Sequence, residues 1–462
     1  VLSPSGDLLQ TLSTCGLQSR PAVIAAVSGG SDSTALLLLL KLFLDHAAPS
    51  TRLHAVTVDH GLRPEAAAEA QAVARFSAER GIDHRIMTWS GPKPGTGLAA
   101  AAREARYDLL ARAARDAGTD VILTAHTADD QAETVLMRRR RGEGPGLAGM
   151  APETLFDGSV WILRPLLGIR RETLRTFLRD EAVGWVDDPS NTDRRSERVR
   201  ARLELAGPPQ VSGAAAIDGL LTLARQGATR RRHLGRDAAD LIRRHVRKAG
   251  PGLMRIDAAL FRPAIDDAAV HTLRALLAVV GGTPHLPDEG RVRALCLRLA
   301  APPCRATLSR ALVAARRDGV WLCREERGLP EPQPARDGLI WDGRFRISAT
   351  AGAAAAVIAP ASAGGRQVEN DDGVPASLAR TAKAGLPIIS SGGSPEIGHV
   401  EQRGVSGSTQ AAPAGWTATC VLAPWARFLP CFDLDLAQAL ADAVGAPPVP
   451  VAPSAGHNVT PA

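Results

Sequence analysis

The sequence predicts an α/β protein: an N-terminal doubly wound parallel sheet, a smaller α-rich second domain and a C-terminal α+β region. From Ala22 to about Gly184, short apolar runs alternate with longer amphipathic segments, the pattern of repeated βα units. Gly207-Pro208-Pro209 breaks that pattern and reads as a linker. Beyond it, helical periodicity takes over and then gives way to short mixed segments. A chain of 462 residues has room for about three domains, placed at 1–206, 210–330 and 331–462.

In chain order, strand Ala22–Val27 leads into helix Ser33–Leu44, Leu53–Val58 into Pro64–Arg80, and His84–Trp89 into Leu98–Ala117. Asp120–Ala125 then leads into Asp129–Arg140, and Val160–Leu163 into Ile169–Ala182. Ligands of such sheets gather where strands end at the carboxyl edge, so chemistry is expected just after each run. After the linker, Ile217–Arg247, Asp266–Val280 and Pro287–Leu299 have helical periodicity, while Arg310–Cys323 and Trp341–Ser348 read as strand. Ala351–Arg366 is Ala/Gly-rich, and Pro447–Ala462 is a Pro-rich end expected to be disordered.

The composition, 45% hydrophobic and 22% charged, is that of a globular protein and excludes disorder throughout. The net charge is +7, and only Lys41, Lys93, Lys248 and Lys383 among its 55 cations are lysines. Arginine forks suit phosphate, but a GC-rich genome explains the same excess, so charge alone favours a nucleic acid only modestly. Aromatic residues make up 3%, too few for a binding mode built on many stacked bases. Six scattered cysteines with no Cys-x-x-Cys argue against a zinc knuckle or redox pair and suit a reducing cytosol. No apolar run nears the roughly 18 residues that span a bilayer, so a cytoplasmic chain without membrane contact is expected.

Ser28-Gly29-Gly30-Ser31-Asp32-Ser33 stands between the first strand and the first long helix. Paired glycines free the backbone, and the exposed amides with the helix N-terminus make a nest for anions. The serine hydroxyls suit phosphate oxygens, while Asp32 suits Mg²⁺ held between carboxylate and phosphate. The sequence has no G-x-x-x-x-G-K-[ST]. Gly144-Pro145-Gly146-Leu147-Ala148-Gly149 matches G-x-G-x-x-G but follows a helix, and Ser391-Gly392-Gly393-Ser394 lacks the Asp-Ser and the apolar helix. His126 falls just beyond the fourth strand. Asp130 and Glu133 share one face of the next helix, either complementing its dipole or capturing a cationic amine. Arg103 and Arg106 share another helical face, and Arg138–Arg141 must wrap around theirs, facing solvent or RNA.

The Ser28–Ser33 loop resembles that of the N-type ATP pyrophosphatases (PP-loop superfamily), whose sheet is adenine nucleotide alpha hydrolase-like. Together with Val58-Asp59-His60-Gly61-Leu62-Arg63, Ala102-Arg103-Glu104-Ala105-Arg106-Tyr107, Ala125–Thr134, Arg164-Pro165-Leu166-Leu167 and Asp188-Pro189-Ser190-Asn191, it resembles the tRNA(Ile)-lysidine synthase family. The resemblance is strong over residues 20–205 and looser at Gly281-Gly282-Thr283, Arg305–Leu308, Arg324-Glu325 and Trp341–Phe345. It implies that ATP, with Mg²⁺, adenylates C2 of cytidine 34 in the CAU anticodon of tRNA(Ile), and that free L-lysine then displaces AMP. It further implies ATP at Ser28, Gly29, Gly30, Ser31, Asp32, Ser33 and His60, and lysine at Asp130, Glu133 and Arg106. By its place at the strand end His126, with Asp32, is expected to complete the catalytic group, and Asn191, Arg198, Arg200 and the basic stretch with Arg230, Arg231 and Arg232 are expected to face the tRNA. The second histidine of the family's A-H-H is Thr127 here. A homodimer is among the assemblies open to the chain. Rival readings are a tRNA thiolase, against which the missing paired cysteines count, a ligase acting on a small metabolite, and a non-catalytic tRNA-binding protein.

Overall fold

A parallel strand covered on both faces must be apolar along its whole length, and all five residues of β1 (Ala22–Ala26) are buried. The computed structural model describes residues 4–61, 66–142, 144–186, 194–206, 213–262, 265–364, 373–391, 398–399 and 415–456. The Gly207-Pro208-Pro209 linker, the Asp188–Asn191 motif and Gly392-Gly393 lie outside the described residues.

In the first half, α1 is Pro4–Ser13, α2 Ser31–Ala47, β2 Arg52–Asp59, α3 Ala66–Ala78, β3 Asp83–Thr88, α4 Leu98–Asp116 and β4 Val121–Leu123. There follow α5 (Ala128–Arg140), β5 (Glu153–Phe156), β6 (Val160–Leu163), α6 (Arg171–Asp180), α7 (Glu197–Ala206) and the long α8 (Gly213–His245). These strands lie in the order β5-β6-β4-β1-β2-β3. They are parallel except β5, which runs antiparallel to β6. β5 escaped the sequence reading because it opens on Glu153-Thr154 and so presents no apolar run. The order reverses between β1 and β4, the switch point where a crevice opens at the carboxyl edge. The Ser28–Ser33 loop leaves β1 on one side of it, and His126 leaves β4 on the other. Eleven residues of α2 are buried, as its unbroken leucine run requires.

By chain contacts the molecule divides inside α8, after Arg231, with Pro430–Phe432 and a C-terminal piece beginning at Pro450 belonging to the first unit. The helical periodicity expected to reach Arg247 ends at His245, where the chain turns directly into strand. The stretch 210–330, expected to be α-rich, carries β7 (Val246–Gly250), β8 (Leu253–Ile256), α9 (Asp267–Gly281), α10 (Glu289–Leu299), β9 (Cys304–Leu308), β10 (Ala311–Arg316) and β11 (Gly319–Arg324). Those five strands form one antiparallel sheet, β7-β8-β11-β10-β9. Beyond it β12 (Gln333–Pro334), β13 (Ile340–Trp341), β14 (Phe345–Ala349), β15 (Ala356–Pro360), α11 (Ala376–Ala384), β16 (Pro387–Ser391), β17 (Gly398–His399), β18 (Trp416–Cys420) and α12 (Leu434–Val444) complete an α+β region. In this unit Asp342, fully buried, takes ion pairs from Arg310, Arg324 and Arg344.

Up to Gly456 the Pro-rich end differs from its expectation of disorder. Ser454 donates its amide (3.1 Å) and hydroxyl (2.8 Å) to the Glu153 carboxylate of β5, which fixes the described part of the tail. Proline lowers the entropy lost on ordering, and Glu153 supplies acceptors that need partners.

Candidate active site

The loop after β1 is held by its own serines. Ser33 Oγ donates to Gly30 O at 3.0 Å, accepts from the Ser28 amide at 3.1 Å and lies 3.2 Å from Ser28 Oγ. Gly29 sits at φ +84°, a left-handed conformation open to glycine, and its carbonyl accepts from Val186 N at 2.9 Å. Gly30 is the N-cap of α2, with no side chain spent on the first-turn amides. A helix N-terminus whose N-cap residue makes no side-chain bond to the first-turn amides suits a phosphate group.

Across the switch point, α5 opens with a reciprocal cap. The Asp130 amide bonds to Thr127 Oγ1, while Asp130 Oδ2 accepts from the Thr127 amide (2.9 Å) and hydroxyl (3.1 Å). This is the physical content of Thr127 in place of the family histidine: a hydroxyl at the N-cap position. Asp130 Oδ1 accepts from Arg171 Nη2 at 2.8 Å and from Arg198 Nη2 at 2.9 Å. Glu133 accepts from Arg198 Nε and Arg202 Nε, each at 2.8 Å. Arg171 Nη1 lies 3.8 Å from Glu133, and its Nε donates to Asp32 Oδ2 at 2.8 Å. One guanidinium thus joins the loop after β1 to the acidic pair of α5. Burial raises the Asp32 carboxyl against the pull of Arg171. Asp130 is pushed up by burial, but Arg198, Arg171 and the Thr127 amide hold it below the usual carboxylate range. Burial also opposes the charge of Arg171, yet Asp130 and Asp32 keep its pKa above that of a free arginine.

His126 Nδ1 lies 3.0 Å from Thr124 Oγ1, which also bonds to Leu163 O at 3.3 Å. Because a carbonyl only accepts, we assign the hydroxyl proton to Leu163 O. The imidazole then donates from Nδ1, leaving Nε2 as a free base. Burial first, then the charge of Arg164, holds His126 well below the ordinary histidine value, so the ring is neutral at pH 7. Arg106 acts on both His126 and His60 electrostatically; the guanidiniums found on Asp130 and Glu133 are those of Arg171, Arg198 and Arg202. His60 stands edge-on to Trp89, with ring centroids 6.1 Å apart, and its Nδ1 is buried without a partner among the described residues. Tyr107 is buried against Phe156.

The expected tRNA-facing residues divide. Arg198 is on the acidic pair, and Arg200 bonds to the carbonyls of Arg194 and Arg195. Arg230 and Arg232 are exposed on α8, while Arg231 stacks on Phe432. Asn191 lies outside the described residues. Of the Arg138–Arg141 run, Arg138 grips Gly146 O and Gly149 O, and Arg140 and Arg141 pair with Glu204 and Glu197. Sequence reasoning missed Arg171 and Arg202. A signal was present for Arg171: α6 opens on Arg170-Arg171, and cations oppose the dipole at a helix N-terminus unless carboxylates meet them. Asp129 does so, accepting from Arg170 and from the Arg171 amide at 2.7 Å.

A PP-loop domain model matches residues 6–208, which span this whole constellation. The tRNA(Ile)-lysidine synthase of Mesorhizobium japonicum is 51% identical over 443 residues, covering 94% of this chain and 95% of that relative. The chain belongs to the tRNA(Ile)-lysidine synthase family. Those of Rhizobium meliloti (38% identical; 92% and 93% covered) and Brucella ovis (42%; 71% and 75% covered) are also similar. Membership makes the chain a PP-loop enzyme that uses ATP as substrate. Among the described residues, no helix is long and apolar enough to cross a membrane.

Proposed function

We propose that this chain joins free L-lysine to C2 of cytidine 34 in the CAU anticodon of tRNA(Ile), in the cytoplasm, at the cost of ATP cleaved to AMP and pyrophosphate. The observation that supports this most is the single guanidinium of Arg171 spanning Asp32 of the phosphate-type loop and Asp130 of the acidic pair. An ATP-cleaving centre and an ammonium-binding centre then lie within one side chain of each other, as a two-step ligation needs.

In the first step the C2 oxygen of the base attacks the α-phosphorus, and the bond to pyrophosphate breaks. Amides and serine hydroxyls at Ser28–Ser33 take up the phosphate charge, and His60 lies beside the loop where the adenine belongs. In the second step the ε-nitrogen of lysine attacks C2 and AMP leaves with the oxygen. Asp130 and Glu133 orient the ammonium, and neutral His126 is the base that accepts its proton. Arg106, beside His126 and His60, offsets negative charge on the adenylate. Among the described residues no cluster of three or more His, Cys, Asp or Glu side chains suits a resident metal. A single hard carboxylate, Asp32, with phosphate oxygens as the remaining ligands, is a donor set that fits Mg²⁺. Bound there, the ion supplies Lewis-acid stabilisation of the departing pyrophosphate.

Exposed arginines of α8 such as Arg225, Arg230 and Arg232 suit the phosphate backbone of the tRNA; such contacts position without specifying and weaken steeply with salt. The test is incubation of the chain with tRNA(Ile) bearing CAU, radiolabelled lysine, ATP and Mg²⁺. Label on the tRNA supports the reading. Sulfur or ammonia incorporation without lysine overturns it.

A further inference from the structure

We propose that Arg171 gates the amine site, so that lysine enters only after the nucleotide has drawn this guanidinium away. The proposal rests on the reading of Asp130 and Glu133 as the lysine site. A carboxylate offers about four acceptor positions. At Asp130 all of them are taken: Arg171 and Arg198 on Oδ1, and the amide and hydroxyl of Thr127 on Oδ2. An incoming ammonium finds no lone pair there until one donor leaves.

Of the four donors, Arg171 alone also holds the ATP loop, through Nε on Asp32 Oδ2. The Thr127 bonds are the cap of α5, and Arg198 keeps a second hold on Glu133. Phosphate oxygens arriving at the loop compete for the guanidinium, which forks readily onto them, and a cation on Asp32 competes for its carboxylate partner. The Arg171 backbone stays in place meanwhile, because its amide is bonded to Asp129. The side chain turns, the helix does not, and one acceptor position on Asp130 opens for lysine. Arg171 is therefore a positioning residue that couples the two substrates, and the coupling works equally in both directions.

The experiment is equilibrium dialysis of radiolabelled L-lysine against the full chain, with and without Mg²⁺ and α,β-methylene ATP. For the wild type the nucleotide is expected to tighten lysine binding about tenfold, within the ordinary range of such couplings. Arg171→Ala is expected to bind lysine with one affinity in both conditions, no weaker than nucleotide-free wild type. Arg171→Lys, whose single ammonium cannot fork across both carboxylates, should lose most of the ratio and decides the matter if the alanine variant does not fold. A purely structural role would weaken binding in both conditions and preserve the ratio. A wild-type ratio of one, or an Arg171→Ala ratio equal to wild type, overturns the gate while leaving the lysine site standing. Lysine binding that is absent in both conditions, or indifferent to Glu133→Gln, overturns the lysine site and the gate with it.

Discussion

Glu133→Gln keeps the shape of the side chain and removes its charge. The wild-type side chain is 2% exposed and accepts two arginine Nε–H bonds of 2.8 Å. A hydrogen bond to a charged group contributes about 1.5–3 kcal/mol, against about 0.5–1.5 for a neutral pair. Gln offers one acceptor oxygen in place of two, so one of the two bonds is lost, which would cost about 1.5–3 kcal/mol if every partner were dry. Arg198 and Arg202 are 39% and 31% exposed, so water replaces part of what is lost. The expected destabilisation is then about 1–2 kcal/mol. Urea unfolding, read as a midpoint at constant slope, measures it. The functional reading adds a second, sharper expectation: KM for lysine rises about tenfold or more, the effect of roughly 1.4 kcal/mol. ATP-dependent pyrophosphate release with tRNA(Ile) stays near wild type, since that step does not use Glu133. A lysine KM within about twofold of wild type, with an unchanged midpoint, would refute both the site and the ion-pair network.

Asp32→Ala is expected to abolish AMP formation while tRNA affinity, measured by filter binding, stays nearly intact; parallel loss of both would make the loop structural. Gly29→Ala forces a side chain into φ +84° and sets its Cβ 3.4 Å from Val73 Cγ2, so about 1–2 kcal/mol of strain should appear as weaker nucleotide binding in calorimetry, and unchanged affinity would show that the loop need not hold this turn. His126 is neutral in the folded chain because burial depresses its pKa below the ordinary 6.5; between that value and the lower folded one the unfolded chain binds the extra proton. Its contribution to stability is therefore complete above pH 6.5 and declines as pH falls, by up to ~1.4 kcal/mol per unit. His126→Gln should flatten the urea midpoint between pH 7 and 5, and an unaltered slope would remove the histidine from the account. Gly227 of α8 lies so close to the loop before β5 that a Cβ would meet Ala148 N at 2.8 Å; Gly227→Ala should lower the melting temperature by several degrees, and a wild-type melt would mean that the helix shifts at no cost.

The parallel half of the fold was legible because β1, β4 and β6 are buried along their whole length and α2 carries a long apolar run. Val160–Leu163 coincides with its strand, and Leu98 does begin α4. What escaped lacked an apolar run or was ambiguous: β5 opens on Glu153-Thr154, and β7 begins where basic helix and basic strand look alike. In the site, the loop after β1 and the acidic face of α5 were legible because phosphate cradles and i,i+3 carboxylates are local patterns. The arginines that hold them were not, because an ion pair such as Arg171 with Asp32 joins residues 139 apart in sequence.

That limit changes what an arginine excess means. Read as a sum, +7 describes a surface facing a polyanion. In the structure several of the arginines face inward: Arg164 is buried and bonds to Ala151 O and Thr154 Oγ1, Arg324 is fully buried on Asp342, and Arg171, Arg198 and Arg202 grip the acidic pair. The charges of Arg324, Arg171, Arg198 and Arg202 are answered locally by carboxylates and add little to the field outside, while Arg164 is held by neutral groups. On the proposed reading, the field that would steer a tRNA comes from those left in water, such as Arg230 and Arg232 on α8. The same guanidinium chemistry thus serves two purposes in one chain. Where it meets Asp32, Asp130 and Glu133 it holds the candidate active site together, and where no carboxylate among the described residues answers it, it stays open to a phosphate.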